Sequence, residues 1–108
     1  MTPEQVAGHV MLTDLHNDLV MVGPFVNGDK SAVQVFLKNG YGISLATSRY
    51  GDEFPIVAPV WEDDTDKFGY RFAWIKHPDF AGMSTPDSER DCTPERAYEI
   101  LAYFKSKE

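Results

Sequence analysis

The sequence predicts an α+β fold. We expect an antiparallel sheet of about 4–5 strands, arranged as two hairpins, with a C-terminal helix packed on it and a short N-terminal helix. Three observations lead there. Residues 33–47, VQVFLKNGYGISLAT, set two β-prone runs on either side of Asn39-Gly40, a dipeptide that readily adopts positive φ at both turn positions. Residues 55–61 and 69–76 form a second such pair around the acidic run Glu62-Asp63-Asp64-Thr65-Asp66. After Thr93, the residues Ala97, Ile100, Leu101 and Phe104 make an i, i+3, i+4, i+7 stripe, the period of a helix with one buried face. With 108 residues the chain forms one domain, 1–108, and a hydrophobic content of 43% can fill its core.

In chain order, Thr2-Pro3-Glu4-Gln5 starts a helix: Thr2 caps, Pro3 suits the first helical position, and Gln5 closes a capping box. Val6 and Val10 lie four apart, and the helix ends between residues 11 and 15. Residues 18–22 and 24–26 are extended, an edge strand interrupted at Pro24, which cannot donate to a ladder. Asn27-Gly28-Asp29-Lys30 turns the chain into the central hairpin. A two-residue type I′ turn at Asn39-Gly40 pairs Lys38 with Tyr41 and Phe36 with Ile43. Alternation then places Phe36, Tyr41, Ile43 and Leu45 on one face, and Val33, Val35 and Leu37 beside Gly42, Ser44 and Ala46 on the other. Small residues allow close approach, so the strip Gly42, Ser44, Ala46 is expected to seat the C-terminal helix. Residues 48–53 form a loop, and Pro55 and Pro59 favour an edge position for the strand at 55–61. Residues 77–92 form a long irregular connection, a length that is usually functional or mobile.

The charge balance limits function. Seventeen acids against ten bases give a net charge of -7, which argues against direct nucleic-acid binding. It suits a partner protein with a basic surface. No apolar run approaches the roughly 18 residues of a membrane span. The N-terminal residues lack the basic stretch of a secretory signal. The single cysteine, Cys92, cannot close an intrachain disulfide and fits a reducing compartment. A cytoplasmic location follows as the expectation.

No catalytic constellation stands out. Cys92 precedes the expected helix cap Thr93, where a thiol can be activated, but Asp91 and Glu95 oppose that shift. Ser44 lacks a nucleophile-elbow pattern, and Gly40-Tyr41-Gly42 lacks the third glycine of a dinucleotide site. Trp61, Tyr70, Phe72 and Trp74 form a stacking platform only if they escape the core. His16 and Asp18 are two apart and suit metal ligation from one face of a strand. The distribution of acids is more informative, since neither residues 1–29 nor residues 50–66 contain a lysine or an arginine.

Two short stretches carry resemblances. Asp14-Leu15-His16-Asn17-Asp18-Leu19 resembles the DGHNDL metal-binding motif of amidohydrolase-type zinc dipeptidases. That family requires a full barrel with further ligands, which 108 residues cannot build. Asn39-Gly40-Tyr41-Gly42-Ile43-Ser44 is similar to the NGYG-x-S hairpin of small uncharacterised bacteriophage-type proteins, which also combine a sheet with a Tyr-containing C-terminal helix. This resemblance implies a phage-type accessory protein acting in the host cytoplasm, and it brings no catalytic residues.

The sequence therefore favours a small acidic, non-enzymatic interaction protein that binds or inhibits a host protein. The expected contacts are Glu62, Asp63, Asp64 and Asp66 at the hairpin tip, with His77 and Asp79 of the following loop. No catalytic residue, cofactor or metal is assigned. A metal-binding protein or small enzyme using His16 and Asp18 is one alternative, and a structural subunit of a larger assembly is another.

Overall fold

The computed structural model describes residues 1–61, 73–74 and 88–106. The first helix, α1 (Pro3–Met11), starts as its sequence dictates. The Thr2 hydroxyl accepts the Gln5 N–H at 3.2 Å, and the Gln5 side chain accepts the Thr2 N–H at 2.8 Å. It stops at the early end of the expected range. The Thr13 hydroxyl donates to the Val10 carbonyl at 2.6 Å and satisfies part of the last turn. A single 3₁₀ turn, His16–Asp18, follows the buried Leu15.

Among the described residues, five strands form one antiparallel meander in sequence order: β1 (Leu19–Asn27), β2 (Lys30–Leu37), β3 (Tyr41–Ala46), β4 (Ile56–Trp61) and β5 (Ala73–Trp74). The last helix, α2 (Pro94–Lys105), is capped by the Thr93 hydroxyl, which accepts the Arg96 N–H. The architecture is α+β, with a short N-terminal helix and a C-terminal helix on an open sheet. β1 lies at the sheet edge, and its pairing register shifts between Val22 and Phe25, where Gly23 and Pro24 intervene. The expected Asn27 to Lys30 turn closes that hairpin, with Asn27 opposite Lys30.

The central hairpin forms, but one residue out of the expected register. Phe36 faces Gly42 and Val35 faces Ile43, so the connection is the three residues Lys38, Asn39 and Gly40. The Gly40 N–H returns to the Leu37 carbonyl at 3.0 Å, and only Gly40 takes positive φ (92°). This is a turn with a glycine bulge, not a type I′ turn. Asn39 explains the choice. Its Oδ1 accepts the Tyr41 N–H at 3.1 Å while its Nδ2 donates to the Phe104 carbonyl of α2 at 3.0 Å. The asparagine thus folds the turn around its own side chain and anchors it to the helix.

A one-residue slip exchanges the faces of a strand. Val33, Val35 and Leu37 of β2 do face the helices, but their partners on β3 are Ile43 and Leu45 rather than the small strip. With Val57 of β4 these side chains meet Val6 and Val10 of α1 and Ala97, Leu101 and Phe104 of α2. The expectation that Gly42, Ser44 and Ala46 seat α2 is therefore wrong. These residues lie on the opposite face, where Phe36 covers Gly42 so closely that an added Cβ would come 2.4 Å from the Val35 carbonyl. That opposite face is buried as well at Phe36, Gln34, Ser44, Ala58 and Val60.

β4 is also not the free edge that its prolines suggested. It pairs with β3 along its whole length, and β5 completes the second hairpin through Val60–Trp74 and Trp61–Ala73. Val57 exchanges both backbone bonds with Glu89, and the Pro55 carbonyl accepts the Cys92 N–H at 2.8 Å. Both groups point away from β3. By alternation Pro59 points the same way, so its missing N–H removes nothing from the β3–β4 ladder.

Two substitutions test this register. Asn39→Ala is expected to destabilise the protein by about 1–3 kcal/mol, because it removes the side-chain hydrogen bonds to the Tyr41 N–H and the Phe104 carbonyl. Gly42→Ala should cost about 1–3 kcal/mol through overpacking against the Val35 backbone. Chemical denaturation midpoints check both, and a Gly42→Ala protein as stable as the parent would contradict the register.

Candidate functional site

The tip and loop residues singled out in the sequence, Glu62, Asp63, Asp64, Asp66, His77 and Asp79, lie outside the described residues. So do Tyr70 and Phe72 of the aromatic platform. The remaining candidates can be placed.

His16 and Asp18 fall on the 3₁₀ turn rather than on a strand. The His16 Nδ1–H donates to the Thr13 carbonyl at 3.0 Å. Asp18 turns instead to Lys105 of α2, 2.9 Å away. The hydrogen bond from Lys105 holds the Asp18 carboxyl below its usual range. The two residues are thus engaged with different neighbours. Among the described residues no three His, Cys, Asp or Glu side chains gather to hold a metal.

Cys92 is buried in the core beside the start of α2. Burial, reinforced by the Glu89 charge, pushes its thiol up to about 12. The helix N-terminus does not overcome desolvation, and the thiol is held protonated.

Most described acids serve the fold. Arg90 pairs with Asp52 at 2.8 Å and lies 4.1 Å above the Tyr50 ring, tying the 48–53 loop to the chain before α2. Arg96 reaches both Glu89 at 2.9 Å and Glu99 at 2.8 Å. Glu4 accepts the Ser31 hydroxyl and joins α1 to β2. The acidic excess of the sequence is therefore partly neutralised in place.

Asp14 and Glu95 lie instead at a groove of about 440 Å³ between the end of α1 and the start of α2. His9, Thr13 and Asp14 form one wall, and Pro94, Glu95 and Tyr98 the other. Tyr98 donates its hydroxyl to Asp14 at 2.7 Å, and this bond raises the phenol above its ordinary value. Asp14 and Glu95 are exposed, and neither has an ion-pair partner among the described residues. The groove thus presents two carboxylates, an imidazole and a tyrosine on its walls, a setting for a cationic side chain. Sequence reasoning missed it because Asp14 and Tyr98 are 84 residues apart. The available signal was Tyr98 itself, adjacent to the buried Ala97 and so on the border of the helix's apolar stripe.

The described helices include none long and apolar enough to cross a membrane. Comparison with known proteins finds no matching protein family, no significantly similar curated protein and no significantly similar solved structure.

The Cys92 environment gives a direct test. A thiol reagent should leave Cys92 unmodified in the native protein and label it after denaturation. Because the folded thiol titrates above its ordinary value of 9.0, the unfolded chain loses the proton first. The contribution of Cys92 to stability should therefore be complete below pH 9 and be lost as pH rises towards 12, and Cys92→Ala should flatten that slope in denaturation measured across the range.

Proposed function

We propose that this protein is a small non-enzymatic interaction protein that engages the basic surface of a partner. The observation that carries the reading is the α1–α2 groove, where Asp14 and Glu95 face solvent while Asp18, Asp52, Glu89 and Glu99 are occupied by internal cations. A lysine or arginine entering the groove meets two negative charges and the Tyr98 ring. The overall charge of -7 steers such a partner towards the protein and gives the encounter a strong salt dependence. The buried, protonated Cys92 is better suited to packing than to nucleophilic chemistry.

The resemblance of residues 39–44 to phage-type hairpins supports an accessory role in a bacterial cytoplasm, binding or inhibiting a host protein. The acidic run containing Glu62, Asp63, Asp64 and Asp66 belongs to the same proposal as a second anionic contact.

Titration with a short Lys/Arg peptide, followed by heteronuclear NMR, tests the groove. Signals of Asp14, Glu95 and Tyr98 should shift, and high salt should abolish the shifts. Asp14→Lys with Glu95→Lys should weaken binding by about tenfold or more, equivalent to about 1.4 kcal/mol. If only Asp63→Lys with Asp64→Lys weakens it, the contact belongs to the acidic run and not to the groove.

A further inference from the structure

The chain has three asparagines, and two of them, Asn27 and Asn39, precede a glycine. An Asn-Gly pair carries its own electrophile and nucleophile. These are the side-chain amide carbon Cγ and the backbone nitrogen of the glycine, which has no side chain to hinder the approach. Both pairs sit at hairpin turns of the same sheet, so local sequence does not separate them. Their hydrogen bonds do.

At Asn39-Gly40 both reactants are engaged. The half-buried Asn39 accepts the Tyr41 N–H at 3.1 Å and donates to the Phe104 carbonyl at 3.0 Å. The Gly40 N–H donates to the Leu37 carbonyl at 3.0 Å. Attack there must first break these bonds and release the anchor to α2. At Asn27-Gly28 neither reactant is engaged. Asn27 is exposed, and among the described residues its side chain has no hydrogen-bond partner. Its main chain lies opposite Lys30, so Gly28 and Asp29 form a two-residue turn outside the ladder. Gly28 takes the positive φ (67°) that suits the first residue of such a turn. Its N–H has no partner among the described residues. An ideal Cβ at Gly28 meets nothing within 4 Å, so the turn has room to bring its nitrogen towards the Asn27 Cγ. Exposed turn tips also open locally at little cost.

We propose that Asn27 is a site of spontaneous deamidation, and that Asn39 is held intact by its bonds to Tyr41 and Phe104. The Gly28 nitrogen forms a bond to the Asn27 Cγ. The side-chain nitrogen leaves as ammonia, taking up the proton that the Gly28 nitrogen gives up. Water then opens the cyclic imide. Cleavage of the new bond to Cγ leaves aspartate, and cleavage of the original peptide bond leaves isoaspartate. Either product adds a negative charge to a chain of net charge -7, at a position facing Lys30. Isoaspartate also lengthens the main chain at the closing pair of the β1–β2 hairpin.

The test incubates the whole chain at slightly alkaline pH and follows both sites by tryptic peptide mapping with fragmentation. Cleavage after Lys30, Lys38 and Arg49 puts Asn27 and Asn39 in different peptides. In the native protein Asn27 should convert about tenfold or more faster than Asn39, whose hydrogen bonds must break first. In denaturant the two rates should converge. Isoaspartate methylation of the native, aged protein should label the Asn27 peptide. Asn27→Gln should remove the conversion from that peptide. Equal native rates at Asn27 and Asn39, or a native Asn27 that stays intact while the denatured one converts, would overturn the proposal. So would conversion that persists in the Asn27→Gln peptide, because it would belong to Asn17.

Discussion

The structure depends on the number of residues between β2 and β3. Side chains alternate along a strand, so a two-residue connection and a three-residue connection present opposite sides of β3 to the helices. With Lys38, Asn39 and Gly40 in the turn, Ile43 and Leu45 join Val33 and Val35 beneath α1 and α2. Were the turn one residue shorter, that face would offer Gly42 and Ser44 instead, and Phe104 and Leu101 would lose their buried contacts. Asn39 locks this parity by binding Tyr41 within the hairpin and Phe104 on the helix. One side chain thus couples local turn geometry to the packing of the C-terminal helix.

Polar groups hold the remaining joints. Lys105 to Asp18 secures the end of α2 against the 3₁₀ turn, and Arg90 to Asp52 secures its approach. Exposed pairs of this kind contribute little stability individually. Their effect here is geometric, because they fix the two ends of a helix whose middle is held by apolar contact. Gln34 is the contrary case. Its Oε1 is buried on the far face of the sheet without a hydrogen-bond partner among the described residues, a situation that generally costs about 1–3 kcal/mol. It lies directly opposite Ser44, which is also polar and buried.

Local chemistry made much of the fold legible in the sequence. The Thr2 and Thr93 caps, the Asn27 to Lys30 turn, the interruption at Pro24 and the stripe from Ala97 to Phe104 are each decided by a few neighbouring residues. The hairpin at Asn39-Gly40 was legible as a turn, but its parity was not, because Asn39 chooses its conformation partly by bonding to a helix 65 residues away. Pro59 misled for a related reason. A proline reveals that one N–H is missing, but the side of the strand on which it is missing depends on the Val57–Glu89 bridge. The α1–α2 groove was illegible, since its acids acquire meaning only when the ion pairs of the others are known. Asp18 stood beside His16 in the sequence as a ligand pair, and Lys105 draws it elsewhere.

The bond between Asn39 and the Phe104 carbonyl has a consequence for how the chain is made. A ribosome adds about 5–20 residues per second, so several seconds separate the emergence of the hairpin from that of the helix that completes it. During that interval the apolar residues of β2 and β3 have α1 as their helical cover but not yet α2. Vectorial synthesis therefore exposes the sheet before its lid arrives, and the asparagine waits in its turn with one amide still bound to water.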